Sequence, residues 1–154
     1  FETLFAERIA KPLAMKQTDF GKKDVPLAAG GAYSTTNDYM NFLIMILNKG
    51  VFNGKRILSE QSIAAMQKNR IVGAKVMHSP AENTKVGYGF GEWIEKEENG
   101  VAIYVSSPGL FGSVPIVDVK NKYCAMLMAL NLKHEGRQQR NAELKKRLDE
   151  ALGF

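Results

Sequence analysis

The stretch Tyr123-Cys-Ala-Met-Leu-Met-Ala-Leu-Asn131 decides the fold class of this chain. As a strand, it places Tyr123 and Leu127 on one face and Cys124 and Met128 on the other, and both faces are apolar. An antiparallel strand with one face in water would alternate apolar and polar residues. We therefore expect other parts of the protein to cover this strand on both sides.

Three further strands are predicted ahead of this one. Apolar and β-branched runs bounded by turn residues place the four strands at residues 86–96, 101–107, 113–118 and 123–131. Turns at residues 97–100 and 120–122 join neighbours as hairpins, which predicts an antiparallel meander. Gly87, Gly89 and Gly91 would form a bare strip on the first strand. No helix follows them, so they suit close helix packing better than phosphate binding.

Helical periodicity marks both ends of the chain. An opening helix ends near Pro12, a second runs to about Asn48 with Gly50 as its C-cap, and Ser59 caps a short third. A final helix at 137–152 carries an apolar stripe of Leu144, Leu148, Ala151 and Leu152. The predicted fold is α+β, an antiparallel sheet of hairpins covered by helices, with the C-terminal helix packed on the sheet. We expect one domain, 1–154, with a helical segment at 1–70 and the sheet and last helix at 85–154.

Charge and composition exclude several classes of function. The formal charge is +5, from 21 basic and 16 acidic residues, but the two signs are mixed along the chain. Even the basic stretch 133–150 contains four acids, so we expect a solvated helix face and no nucleic-acid partner. No apolar run approaches the ~20 residues of a membrane span. The single cysteine, Cys124, excludes an internal disulfide and lies in an apolar run, where a core role is expected.

Several motifs occur in a familiar order. Ile9-Ala-Lys-Pro-Leu-Ala-Met-Lys-Gln-Thr18 resembles I-x-x-P-L-G-M-x-x-T, and Ala28-Ala-Gly-Gly-Ala-Tyr-Ser-Thr-Thr-Asn-Asp38 resembles A-A-G-G-L-x-S-T-x-x-D. Tyr88-Gly-Phe-Gly91 with Trp93 is similar to Y-G-x-G-W, and Ser107-Pro-Gly109 stands in the place of H/K-x-G. Over nearly its whole length the chain resembles the penicillin-recognising, β-lactamase-like serine hydrolases, a group that includes class C β-lactamases and penicillin-binding proteins.

The resemblance implies a partial β-lactamase/transpeptidase-like fold without a cofactor. It also implies a bacterial protein in a periplasmic or extracytoplasmic location. Because the chain opens inside an amphipathic helix on Phe1, we expect it to be the C-terminal portion of a longer protein, whose missing N-terminal portion would be its main partner. The family's sheet also takes strands from that portion, so we expect possible self-association without it.

The family's catalytic pair is absent from these 154 residues. The family uses a Ser-x-x-Lys pair to attack a carbonyl, and none of the seven serines here has lysine three positions on. The family's Tyr-x-Asn motif would lie upstream of Phe1. Tyr39-Met-Asn41 has that spelling but lies on a predicted amphipathic helix, out of place. We therefore expect no catalytic residue in this chain and no activity from it alone.

The third motif supplies the candidate site residues. By resemblance, Ser107 replaces a Lys or His that helps bind substrate, Gly109 lets substrate approach, and the N–H of Leu110 is an oxyanion-hole donor. His78 and His134 are isolated, so no metal site is expected. Two interpretations remain open. One is the C-terminal region of a serine hydrolase acting on a small amide or ester through an acyl-enzyme. The other is a catalytically silent relative that binds a peptide-like ligand or a protein partner.

Overall fold

The computed structural model describes residues 1–21, 24–79, 86–131, 133 and 135–154. Its α-helices are α1 (Glu2–Phe5), α2 (Thr36–Leu47), α3 (Glu60–Met66) and α4 (Arg137–Leu152), and a π-helical turn over Ala6–Ala10 follows α1. Its strands are β1 (Val51–Phe52), β2 (Lys55–Arg56), β3 (Gly87–Tyr88), β4 (Trp93–Glu98), β5 (Val101–Ser106), β6 (Val114–Asp118) and β7 (Tyr123–Leu127). None of the helices in the described ranges is long and apolar enough to cross a bilayer.

The main sheet is the predicted antiparallel meander. Its strand order is β3-β4-β5-β6-β7, and each strand pairs with the next one in the chain. The β4–β5 turn consists of Asn99 and Gly100, which have φ of 52° and 74°. Positive φ at both central residues is the hairpin geometry that Asn-Gly favours. This part of the sequence prediction is confirmed.

The predicted strand at 86–96 is wrong in one respect, because it is two strands separated by a turn. The Phe90 N–H donates to Met66 O at 2.8 Å, and the Gly89 N–H donates to Glu92 O at 2.9 Å. These bonds draw the chain towards the end of α3 and out of the sheet. A Cβ at Gly89 would collide with the Met66 carbonyl, so the close approach of a helix expected at these glycines is confirmed there.

Helices cover both faces of the sheet, as expected. On one face α2 packs against β6 and β7, and its Leu43 and Ile46 share a buried core with Val105 and Val117. On the other face α4 reaches the sheet mainly through Lys145, which pairs with the buried Asp118. The apolar stripe predicted for α4 is partly covered: Leu144 and Leu148 are half-buried, whereas Ala151 and Leu152 are exposed.

The last strand is shorter than predicted. It ends at Leu127 because β6 begins at Val114, the residue opposite Leu127, and offers no further partner. Asn131 instead donates its N–H to Phe111 O at 2.7 Å. Leu130 is consequently 83% exposed. The apolar run therefore extends past the end of the strand, and its last residues lie on the protein surface.

The two stretches that carry the N-terminal motifs are joined by a buried acid. Asp38 Oδ2 accepts hydrogen bonds from Gln17 N at 2.6 Å and from Thr18 Oγ1 at 2.9 Å. Thr35 caps α2 by accepting from Asp38 N. At the other end Asn48, and not Gly50, is the cap residue, since Lys49 already adopts the left-handed conformation with φ of 51°. Ser59 caps α3 as predicted.

Candidate functional site

The candidate residues lie on the loop that connects β5 to β6, residues 107–113, called the site loop below. Gly109 N donates to Ser113 O at 2.8 Å, and Gly112 N donates to Gly109 O at 3.1 Å. Gly112 has φ of 102°, which only glycine adopts readily. These bonds fold the loop tightly on itself, so its backbone groups have fixed directions.

In the part of the chain that the structure describes, the site loop presents free backbone donors at Leu110 and Phe111, both exposed, and the family motif singles out Leu110. Leu110 is 63% exposed, and within the described ranges its N–H donates to no other residue. A Cβ at Gly109 would meet Ser113 Oγ, so any side chain there would require that hydroxyl to move. An oxyanion donor must be rigidly held and unpaired before the substrate arrives. The geometry around Leu110 meets both requirements.

An arginine from α4 holds the same loop. Arg137 Nη2 donates to Leu110 O at 2.7 Å, and its Nη1 lies 3.5 Å from Gly109 O. No sequence pattern predicts a role for Arg137, because 27 residues separate it from Leu110.

A cavity of about 200 Å³ adjoins the site loop at Ser107. Its walls are mostly apolar and come from α2, the end of α3, the β3–β4 turn and the β5 and β6 strands. The lining residues that bear on chemistry are Tyr39, Phe90, Glu92, Ser106 and Ser107. Among the lining residues that the structure describes, none is a lysine, arginine or histidine. These residues therefore bring no positive charge to the space that the half-buried Ser107 faces.

Glu92 is the unexpected member of this set. Its side chain is buried, with the residue only 8% exposed, and its Oε2 has no hydrogen-bond partner among the described residues. Burial raises its pKa to about 7, and the nearby Gln67 amide offsets part of that shift. Gln67 Nε2 itself makes no hydrogen bond of ordinary geometry. Burial and the Glu92 charge likewise raise the pKa of Tyr39.

The neighbouring serine, Ser106, has a partner. Its Oγ donates to Glu95 Oε1 at 2.5 Å, and burial raises the pKa of that carboxyl despite the hydrogen bond. Among the described residues, neither a lysine nor a histidine is paired with this hydroxyl. The arrangement therefore lacks the basic group that activates a serine nucleophile.

Other sequence candidates have structural roles or lie outside the description. Asn41, from the Tyr39-Met-Asn41 stretch that matches the Tyr-x-Asn pattern, donates a hydrogen bond from its Nδ2 to Leu13 O at 2.9 Å. This bond links α2 to the opening segment. His134 is outside the described residues. The part of the chain that is described holds no group of three metal-binding side chains. Cys124 packs beside the core, and burial raises the pKa of its thiol.

The family assignment follows from comparison with known proteins. The model of the Beta-lactamase family matches residues 1–149. The chain belongs to the Beta-lactamase family. The fold of this Beta-lactamase family member agrees with that assignment, since it also matches solved structures that carry related names.

Two of these structures illustrate the range of sequence identity and structural similarity. One is a candidate β-lactamase from Bacteroides dorei DSM 17855, with a TM-score of 0.75 and 31% identity, which covers 84% of this chain and 43% of its own. The other is a family VIII carboxylesterase, with a TM-score of 0.60 and 17% identity, which covers 95% of this chain and 51% of its own. At that lower identity only the fold is shared.

A curated relative matches over a shorter stretch. Protein Rv1367c of Mycobacterium tuberculosis (strain ATCC 25618 / H37Rv) is 38% identical over 65 residues, which is 42% of this chain and 16% of the relative. This Beta-lactamase family chain thus spans about half, or less, of the proteins it matches.

Proposed function

We propose that this chain forms the C-terminal region of a serine hydrolase that cleaves a small amide or ester through an acyl-enzyme. The observation that carries the proposal is the free Leu110 N–H on a rigid loop, at the position where the family's third motif places its oxyanion donor. The β-lactamase name of the structural neighbour that is 31% identical supports an amide substrate.

The residues of this chain would supply substrate binding, and an upstream segment the nucleophile. A Ser-x-x-Lys serine from that segment would attack the substrate carbonyl, and the Leu110 N–H would stabilise the negative oxygen that develops. One such donor is worth roughly 3–4 kcal/mol of transition-state stabilisation. Gly109 would keep the approach to that donor clear of side chains. Without the nucleophile the donor has no reaction to assist, so the chain alone should be inactive.

The cavity beside Ser107 supports a preference among substrates. Its described lining offers the Ser107 hydroxyl and the Glu92 carboxyl but no cationic side chain. A substrate carboxylate there would lack a counter-charge and would meet an acid that ionises near neutral pH. We therefore expect neutral or amine-bearing acyl compounds to be better substrates than carboxylate-bearing compounds such as penicillins.

A catalytically silent relative is the second candidate function. The loss of a Lys or His at position 107 favours it, since a serine hydroxyl can hydrogen-bond but carries no charge. In that case the same loop and cavity would bind a peptide-like ligand without cleaving it.

Turnover assays separate the two functions. The protein that carries this chain together with its upstream segment should hydrolyse p-nitrophenyl esters or a chromogenic β-lactam, whereas residues 1–154 alone should not. An upstream sequence without Ser-x-x-Lys, combined with no turnover, would favour the silent relative. Turnover by the 154-residue chain itself would contradict the proposal.

A further inference from the structure

Arg137 places its charge on the site loop and not on an acid. Within the described ranges it forms no ion pair, whereas Lys145, Lys146 and Arg147 on the same helix all do. Its two terminal nitrogens instead reach the consecutive carbonyls of Gly109 and Leu110. A planar guanidinium suits such a two-point contact, which a lysine ammonium cannot reproduce with the same geometry.

The direction of the proposed oxyanion donor follows from the Gly109 carbonyl. Gly109 O and the Leu110 N–H belong to one trans peptide group, in which the C=O and N–H point in opposite directions. Gly109 O accepts from the Gly112 N–H at 3.1 Å, and Arg137 Nη1 lies at the longer distance of 3.5 Å. The Leu110 N–H therefore points away from both groups, and Leu110 itself is 63% exposed.

The shorter contact of Arg137 acts on the next peptide group. Its Nη2 donates to Leu110 O at 2.7 Å, and the N–H of that peptide group belongs to Phe111. Arg137 therefore restrains the backbone on both sides of Leu110.

We propose that Arg137 is a positioning residue that fixes the backbone on both sides of Leu110 and so orients the Leu110 N–H for transition-state stabilisation. This inference rests on the proposed hydrolase function. Arg137 touches neither substrate nor nucleophile and acts only through the backbone of the site loop. Its role is therefore in the rate of the chemical step and not in substrate affinity.

Kinetics of the protein with its upstream segment test the inference, with Arg140 as a matched control. Arg140 also lies on α4 and also donates to two backbone carbonyls, of Lys133 and Glu135, at 2.7 Å and 2.6 Å. Arg137→Ala should lower kcat about 10- to 100-fold, as displaced catalytic groups do, with KM changed less than about twofold. The kcat of Arg137→Lys should lie between those of wild type and Arg137→Ala, and Arg140→Ala should leave kcat within about twofold of wild type. Equal effects of Arg137→Ala and Arg140→Ala, or a rise in KM at constant kcat, would overturn the inference.

A measurement that needs no turnover separates this inference from the proposed function. If the wild-type protein with its upstream segment turns over no substrate, the proposed function fails, and the amide resonance of Leu110 in that same protein decides the role of Arg137. Arg137→Lys should shift that resonance and Arg140→Ala should not, with urea denaturation confirming that both variants fold. An unmoved Leu110 resonance in Arg137→Lys would overturn the inference whatever the kinetics show.

Discussion

Glu92 is a single residue whose burial should govern the pH dependence of stability. Its pKa rises from 4.5 to about 7 on folding because burial disfavours the charged form. An acid with a raised folded pKa binds more protons when folded, so stability falls as the pH rises from about 4.5 to about 7.

Glu92→Gln should therefore stabilise the chain at pH 8, by on the order of 2–3 kcal/mol, and change little at pH 4.5. Urea denaturation of both proteins at the two pH values measures this. Glu98→Gln is the control, because Glu98 is exposed and its bond to Lys120 lowers its pKa, so no gain at pH 8 is expected. A Glu92→Gln effect that is the same at both pH values would contradict the raised pKa of Glu92.

Gly109 should matter more than Ser107 in the complete enzyme. A Cβ at 109 meets Ser113 Oγ, and the branches of valine add bulk that rotation of one hydroxyl does not accommodate. Gly109→Val should lower kcat/KM by about 100-fold through displacement of the Leu110 donor, whereas Ser107→Ala, which removes one hydroxyl, should cost less than about tenfold. Equal losses of kcat/KM in the two variants would place the oxyanion donor elsewhere.

At the scale of elements, α4 is held to the sheet by a partly enclosed ion-pair cluster. Lys145 Nζ lies 2.8 Å from Asp118 Oδ2 and 2.7 Å from Asp149 Oδ2, and the side chains of Lys145 and Asp118 are 13% and 4% exposed. Burial lowers the pKa of Lys145, but its bonds to Asp118 and Asp149 outweigh burial and raise it above the usual value.

Lys145→Met should destabilise the chain by about 3 kcal/mol, because it leaves the Asp118 carboxylate buried without its cation. The adjacent Lys146, which pairs with Glu150 on the surface, offers the control: Lys146→Met should cost less than about 1 kcal/mol. Chemical denaturation compares the two variants. Similar losses would mean that α4 is anchored by its apolar residues after all, and adding Asp118→Asn to Lys145→Met should then recover nothing.

Local signals predicted some elements and nonlocal contacts decided the others. The Asn99-Gly100 turn and the Ser59 cap were predictable because their residues carry the required conformation or hydrogen bond themselves. The strand predicted at 86–96 failed because the bond from Phe90 N to Met66 O depends on a helix more than twenty residues away.

The residues of the candidate site also divide into those that local sequence predicted and those that depend on nonlocal contacts. Ser107, Gly109 and Leu110 were identifiable because they lie together within one short motif, although their substrate-binding and oxyanion roles remain predictions. Glu92 and Arg137 were missed. Glu92 is notable only because folding buries it beside a cavity, and Arg137 only because α4 returns to the site loop. No spacing of residues in the sequence predicts either contact.

At the scale of the whole molecule, the sheet has an open edge. β7 is the last strand in the sheet order and pairs only with β6 in the described part of the chain. Leu127, Met128 and Leu130 beside this edge are exposed. Unpaired strand edges and apolar surface both recruit other chains.

Residues 1–154 alone should therefore self-associate at micromolar concentration and bind a hydrophobic dye. Adding the upstream portion of the protein should suppress both effects, because that portion would cover the edge. Light scattering and dye fluorescence measure them. A monomer that binds no dye would show that these residues close their own core, and would favour the silent relative over the hydrolase region.

The central claim is that this chain contributes an oxyanion donor to a nucleophile that lies in an upstream segment. Mass spectrometry after treatment with a penicillin-type or ester-type acylating probe tests it most directly. In the protein with its upstream segment, we expect one adduct, on the serine of a Ser-x-x-Lys motif before Phe1. When residues 1–154 are treated alone, we expect no adduct. An adduct on any of the seven serines of this chain, with Ser106 and Ser107 the first to map, would contradict the account.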